Sequence, residues 1–147
     1  MGALRVRGLS RGLRGSPIHG GIRHVLSKLF PTLLLLAAPT AGAQIYADVS
    51  TSMGDFTIQL NHTAAPKTVA NFISLAEGSR TWVNPMTGAV VTNTPYYNGI
   101  TFHRVIKDFM SQTGSRKGGG SDGPGYRFQG EVNNGLTHSG PHIVSMA

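Results

Sequence analysis

Ile100-Thr101-Phe102-His103-Arg104-Val105-Ile106 and, after Lys107-Asp108, Phe109-Met110-Ser111-Gln112-Thr113 decide how this chain is read. Both runs are rich in β-branched and aromatic residues, and turn residues flank them at Asn98-Gly99 and Gly114. That pattern predicts two strands, 100–106 and 109–113. Just beyond them stand Gly114, Gly118, Gly119, Gly120, Gly123 and Gly125, so residues 114–125 are a loop.

Upstream, Tyr46–Ser52 alternates loosely and Phe56-Thr57-Ile58-Gln59-Leu60 alternates cleanly, with Phe56, Ile58 and Leu60 on one face. Met53-Gly54-Asp55 between them carries a turn signal, and the pair predicts a hairpin. Thr63-Ala64-Ala65-Pro66 opens a helix, because a proline in the first turn lacks only an N–H that would have had no partner. Val69, Phe72, Ile73 and Ala76 form its apolar stripe, and Gly78 is its C-cap. Residues 79–99 are an irregular excursion with turns at Asn84-Pro85, Thr87-Gly88 and Asn98-Gly99 and a short strand at Val90-Val91. Ile143–Ala147 is expected to begin a further strand. One helix among several short strands predicts a mainly-β fold, an antiparallel barrel or sandwich with the helix covering one opening.

The 147 residues suffice for one domain, and their net charge of +7 is unevenly placed. Residues 1–43 hold Arg5, Arg7, Arg11, Arg14, Arg23 and Lys28 and no acid, whereas residues 44–147 balance seven cations against six acids. The body is therefore nearly neutral, which argues against a phosphate-binding surface and hence against nucleic acid as a partner. With no cysteine, disulfides, thiolate metal sites and cysteine nucleophiles are excluded. Leu29–Ala38 is apolar apart from Pro31 and Thr32 and is too short to span a bilayer, which takes roughly 20 apolar residues. Basic residues precede it, and Ala41-Gly42-Ala43 has the small-x-small form of a signal-peptidase site. The expected organisation is a leader or signal peptide at 1–43, cleaved before Gln44, and a body at 44–147. Such a protein is secreted or periplasmic, with no stable membrane insertion after cleavage. The long Gly- and Arg-rich stretch before the apolar run is best explained by a true start near Val25 or Leu26.

Four segments, in order, resemble the cyclophilin family of peptidyl-prolyl isomerases: Ala65–Phe72; Tyr97–Ile106 with its Phe-His-Arg-Val-Ile; Phe109–Gly114 with its Phe-Met-x-Gln, followed by the glycine loop and Gly123-Pro124-Gly125-Tyr126; and His138–Ala147. The resemblance covers residues 45–147. It implies a cyclophilin-like antiparallel β-barrel with a capping helix. It also implies Arg104 as the catalytic residue, with Phe109 and Met110 as walls of a proline pocket. Gln112 is then a substrate hydrogen-bonder, Ala147 a pocket contact, and His103 lines the edge. Three features depart from the family pattern. Thr113 stands where a second glycine is usual, Lys107-Asp108 where Pro-Gly is common, and residues 79–99 are longer. The family also continues beyond this point with the remaining strands, a second helix and about half the pocket, so a truncated, incomplete barrel is expected.

The function so implied is peptidyl-prolyl cis–trans isomerisation assisting protein folding, by a monomer acting on proline-containing polypeptides without cofactor or metal. Two other readings stand beside it: a non-catalytic proline-peptide-binding or chaperone module, and an inactive fragment. Phe102 and Ile106 are expected in the core. His62, His138 and His142 lack metal-site spacing and are expected on the surface. The loop 118–125 lacks the Lys-Ser/Thr ending of a phosphate cradle. It is expected to be a mobile surface loop, with Arg116 and Lys117 as solubilising cations.

Overall fold

The computed structural model describes residues 3–12 and 43–147. The apolar run Leu29–Ala38 and the small residues Ala41-Gly42 of the expected leader lie outside them.

The predicted hairpin forms as β2 (Gln44–Thr51) and β3 (Gly54–Leu60), paired antiparallel from Ile45 opposite Leu60 to Thr51 opposite Gly54. The Thr51 hydroxyl closes the turn, donating to the Gly54 carbonyl at 2.7 Å and accepting from the Met53 N–H at 3.1 Å. Alternation then sorts the two faces. Ala47 and Val49 are buried opposite Ile58 and Phe56. The other face carries polar cross-strand pairs, Thr57 to Asp48 at 2.8 Å and Ser50 to Asp55 at 2.6 Å.

Helix α1 (Pro66–Glu77) starts on its proline and stops at Gly78, whose φ of 79° is the left-handed C-cap conformation. Ala65 supplies no side-chain cap. The Glu131 carboxylate, far along the chain, takes the Lys67 and Thr68 N–H groups instead, at 3.0 and 2.8 Å. The carboxylate thus satisfies two orphan donors and meets the positive end of the helix dipole. Val69 joins Ala47 and Leu60 in one buried cluster. About two turns on, Leu75 and Ala76 join Val49, Trp82, Tyr96, Tyr97 and Ile100 in another. The helix therefore contributes to both clusters, beside Ala47 and Leu60 in one and Val49 in the other.

The excursion is better ordered than its sequence suggests. Trp82–Val83 (β4) pairs with Val90–Val91 (β5), as the apolar pair at 90–91 led us to expect. Trp82 and Tyr96 meet edge-to-face at 5.2 Å, as do Tyr96 and Tyr97. The first expected long strand is broken into Ile100–Thr101 (β6) and Arg104–Ile106 (β7), which no longer share a sheet. The second is Met110–Gln112 (β8), paired only with β7. Phe102, at the break, packs against the core as expected. Ile106 does not: it is 39% exposed on the β7–β8 ribbon, because the chain leaves the core sheet after Thr101.

The architecture is mainly β with one helix among the described residues, as expected, but the strands make separate sheets rather than a closed barrel. Ile143–Ala147 forms no strand; no strand among the described residues pairs with it, and its residues are exposed. Ala3–Gly12, expected as part of a leader, forms strand β1. It lies between β2 and β6, paired with β2 from Arg5 opposite Ser50 to Gly12 opposite Gln44, and with β6 through Ala3 and Leu4. Two sheet edges that would otherwise be open are thereby closed.

Candidate functional site

The β7–β8 ribbon assembles most of the predicted site. Arg104 is registered opposite Gln112, Val105 opposite Ser111, and Ile106 opposite Met110. Because side chains alternate, Arg104, Ile106, Met110 and Gln112 share one face and Val105 and Ser111 the other. Three residues join the strands. Asp108 takes φ 57°, the left-handed conformation that glycine adopts freely and that a short polar side chain tolerates. This explains how Lys107-Asp108 serves where Pro-Gly is common. Phe109 is the last residue of the turn, at the tip of the ribbon, and is 75% exposed.

His103 precedes the ribbon. Its backbone N–H donates to the Gln112 carbonyl at 3.1 Å, so it is tied to the same cross-strand position as Arg104. Both its ring nitrogens are buried and lack a protein partner among the described residues. Thr113, at the other family departure, donates its hydroxyl to the Thr101 carbonyl at 3.0 Å and so moors the ribbon to β6. Five of the six predicted residues thus gather here. The sixth, Ala147, lies exposed in the terminal coil, with no strand pairing to the ribbon.

The glycine loop and Arg116 depart from expectation. Arg116 is not a free surface cation. Its guanidinium lies 4.4 Å from the Trp82 ring and 5.2 Å from that of Tyr96, and it donates to the carbonyls of Pro95, Tyr96 and Asn98. Burial draws its pKa down, against the attraction of Tyr96. Lys117 is exposed as expected. The loop is closed by Asp122. One carboxylate oxygen accepts from the Ser115 hydroxyl, and the other accepts from the Arg116 and Lys117 N–H groups at 2.9 and 3.2 Å. Burial pushes the Asp122 carboxyl up, but these donors outweigh it and hold the group below its ordinary value. The signal for this clasp was one acid among glycines, beside a Ser-Arg pair.

His138 and His142 are exposed, and His138 Nε2 lies 2.8 Å from the Ser145 hydroxyl. Half-buried His62 sits close to the Leu60 carbonyl, and no cluster among the described residues could hold a metal ion. A recess of about 250 Å³ lies beside Gln59, Leu60, His62 and Leu136, away from the ribbon.

Fold and ribbon together define a class. The sequence profile described as "Cyclophilin type peptidyl-prolyl cis-trans isomerase/CLD" matches residues 46–147. The chain is 47% identical over 104 residues to peptidyl-prolyl cis-trans isomerase B of Streptomyces anulatus, covering 71% of this chain and 59% of that protein. It is 41% identical over 101 residues to peptidyl-prolyl cis-trans isomerase A of Mycobacterium tuberculosis, covering 69% and 55%. With peptidyl-prolyl cis-trans isomerase-like 1 of Aspergillus niger it shares 42% over 100 residues, covering 66% and 52%. The chain belongs to the cyclophilin-type peptidyl-prolyl cis-trans isomerase family. It spans a little over half the length of these curated relatives.

Proposed function

We propose that this chain carries the arginine-bearing part of a prolyl isomerase site that accelerates rotation about X–Pro bonds in folding polypeptides. One observation carries the reading: Arg104 stands directly opposite Gln112, with Met110 on the same face. An X–Pro amide rotates over a barrier of about 18–20 kcal/mol because its C–N bond has partial double-bond character. No acid, base or nucleophile is needed. In the twisted state the prolyl nitrogen becomes pyramidal and gains a lone pair, to which the Arg104 guanidinium donates. That bond is absent from the planar ground state, so it lowers the barrier rather than merely binding substrate. Arginine suits the task because it stays charged and holds its donors in a rigid fork.

Arginine alone falls short. Reaching a turnover of about 10 per second from a barrier of about 19–20 kcal/mol needs about 4 kcal/mol. A charge-assisted hydrogen bond contributes about 1.5–3 kcal/mol. In this reading Phe109 and Met110 grip the proline ring and exclude water, Gln112 positions the carbonyl side, His103 lines the edge, and Ala147 is a further pocket contact. The enzyme works as a monomer, needs no cofactor, and has no nucleic-acid partner, consistent with the near-neutral body. Residues 1–43 direct it out of the cytoplasm and are then removed, leaving a secreted or periplasmic body at 44–147. Among the described residues no helix is long and apolar enough to cross a membrane.

A protease-coupled assay on a proline peptide, comparing wild type with Arg104→Ala, tests the reading. Loss of rate in the variant supports it; equal rates refute it. Binding of the peptide without rate enhancement in either protein would favour the non-catalytic peptide-binding module, which the exposure of Phe109 also suits.

A further inference from the structure

Of the glycines in the loop, Gly120 is the one that comes up against His103 and Gln112. A methyl group built on Gly120 would lie 2.9 Å from His103 Nε2 and 3.7 Å from Gln112 Nε2, so a side chain there would push against the His103 ring. Gly120 also has φ 78°, which glycine adopts without strain. Neither His103 ring nitrogen has a protein partner among the described residues. The ring's orientation is therefore set by what it packs against rather than by hydrogen bonds, and Gly120 is the wall in contact with it.

A short chain of hydrogen bonds holds that wall. The Ser115 hydroxyl donates to Asp122 and accepts from the Gly119 N–H at 3.1 Å. Ser115 is 4% exposed, so its hydroxyl has little access to alternative partners in solvent. Asp122 also gathers the Arg116 and Lys117 N–H groups. Arg116 in turn pins the start of the loop to the carbonyls of Pro95, Tyr96 and Asn98. The route from the carboxylate to the site thus runs Asp122, Ser115, Gly119, Gly120, and then His103 and Gln112.

We propose that Asp122 and Ser115 are positioning residues for the site: through Gly119 they hold Gly120 against His103 and beside Gln112, and so fix two of the groups that would meet a peptide next to Arg104. This rests on the proposed prolyl isomerase reading for its functional meaning, but not for its geometry. It makes Ser115 and Asp122 specificity-bearing although neither touches the substrate.

Nuclear magnetic resonance on the full chain tests it, following the His103 imidazole, the Gln112 side-chain amide and the loop amides. Isomerase kinetics are measured alongside. Asp122→Ala is expected to move the Gly120, His103 and Gln112 signals and to raise KM for a proline peptide by about threefold or more, with kcat changed less. Asp122→Asn keeps an oxygen acceptor and should restore most of both. Ser115→Ala, which removes both the donor to Asp122 and the acceptor for Gly119, carries the test if Asp122→Ala fails to fold. Gly120→Ala must move the His103 signals while the Ser115–Lys117 amides keep their positions. The proposal is overturned if Asp122→Ala or Ser115→Ala shifts only the loop amides and leaves His103 and Gln112 where they were. An inactive wild type whose His103 and Gln112 signals still respond would count against the isomerase reading and for the positioning.

Discussion

The Tyr126 hydroxyl donates to Oδ1 of Asn71, joining the far end of the glycine loop to the buried face of α1. Asn71 is 5% exposed, and Arg80 stacks on the other side of the tyrosine at 4.3 Å from the ring centroid. Tyr126→Phe keeps the ring and removes the hydroxyl, and with it the bond to Asn71. A buried acceptor left without its partner costs about 1–3 kcal/mol. Chemical denaturation should show a lower midpoint with an unchanged slope, since the surface exposed on unfolding stays the same.

Gly78 closes α1 with φ 79°, and a methyl group there would lie 2.6 Å from the Thr94 carbonyl carbon and 2.7 Å from the Pro95 nitrogen. Gly78→Ala therefore combines left-handed strain, about 1–2 kcal/mol, with a backbone collision that no rotamer can relieve. The melting temperature should fall by several degrees or more. Gly88→Ala meets no atom within 4 Å, shares the positive φ, and should bear the strain alone. Comparing the two separates collision from strain.

Acid should loosen the loop and the helix start together. Asp122 and Glu131 both have pKa values held below the ordinary carboxylate range, each by donors that outweigh desolvation. A carboxylate depressed in the folded state contributes stability above its unfolded pKa of about 4 and loses it as pH falls through the lower folded value. The melting temperature should hold steady from neutral pH to about 5 and drop below about 4. Asp122→Asn and Glu131→Gln should start lower at neutral pH and show a smaller drop, measured by circular dichroism across that range.

Arg104→Ala should reduce kcat/KM on a proline peptide by about 10- to 150-fold, the equivalent of one charge-assisted hydrogen bond of about 1.5–3 kcal/mol. Arg104→Lys keeps the charge but not the planar fork and should recover only part of the rate. Because Arg104 is exposed, neither change should move the melting temperature appreciably.

The hairpin and the helix were legible because each rests on local periodicity or on one decisive residue: alternation at Phe56–Leu60, Pro66 at the start and Gly78 at the stop. The resemblance pointed to Arg104 and Gln112, but their standing opposite each other depends on how the three-residue turn at Lys107–Phe109 sets the register, which no periodicity specifies. The second core cluster escaped notice for a related reason. Trp82, Tyr96 and Tyr97 lie in a stretch without repeat, and only the folded chain stacks them in sequence and sets Arg116 over Trp82 and Tyr96. Ile106 misled because an apolar residue in a strand is read as core unless the strand is known to leave the sheet. Glu131 and Asp122 entered the sequence reading only as two of the six acids of the body. Their partners are backbone N–H groups, and a sequence does not display which of those lack a bond.

Strand β1 places one demand on the first residues of the chain and the leader reading places another. Translocation machinery accepts an extended, unfolded precursor, whereas β1 docked between β2 and β6 is withdrawn into the folded sheet. The two fates compete in time. If residues 1–43 were removed, β2 and β6 would lose the strand that pairs with both of them.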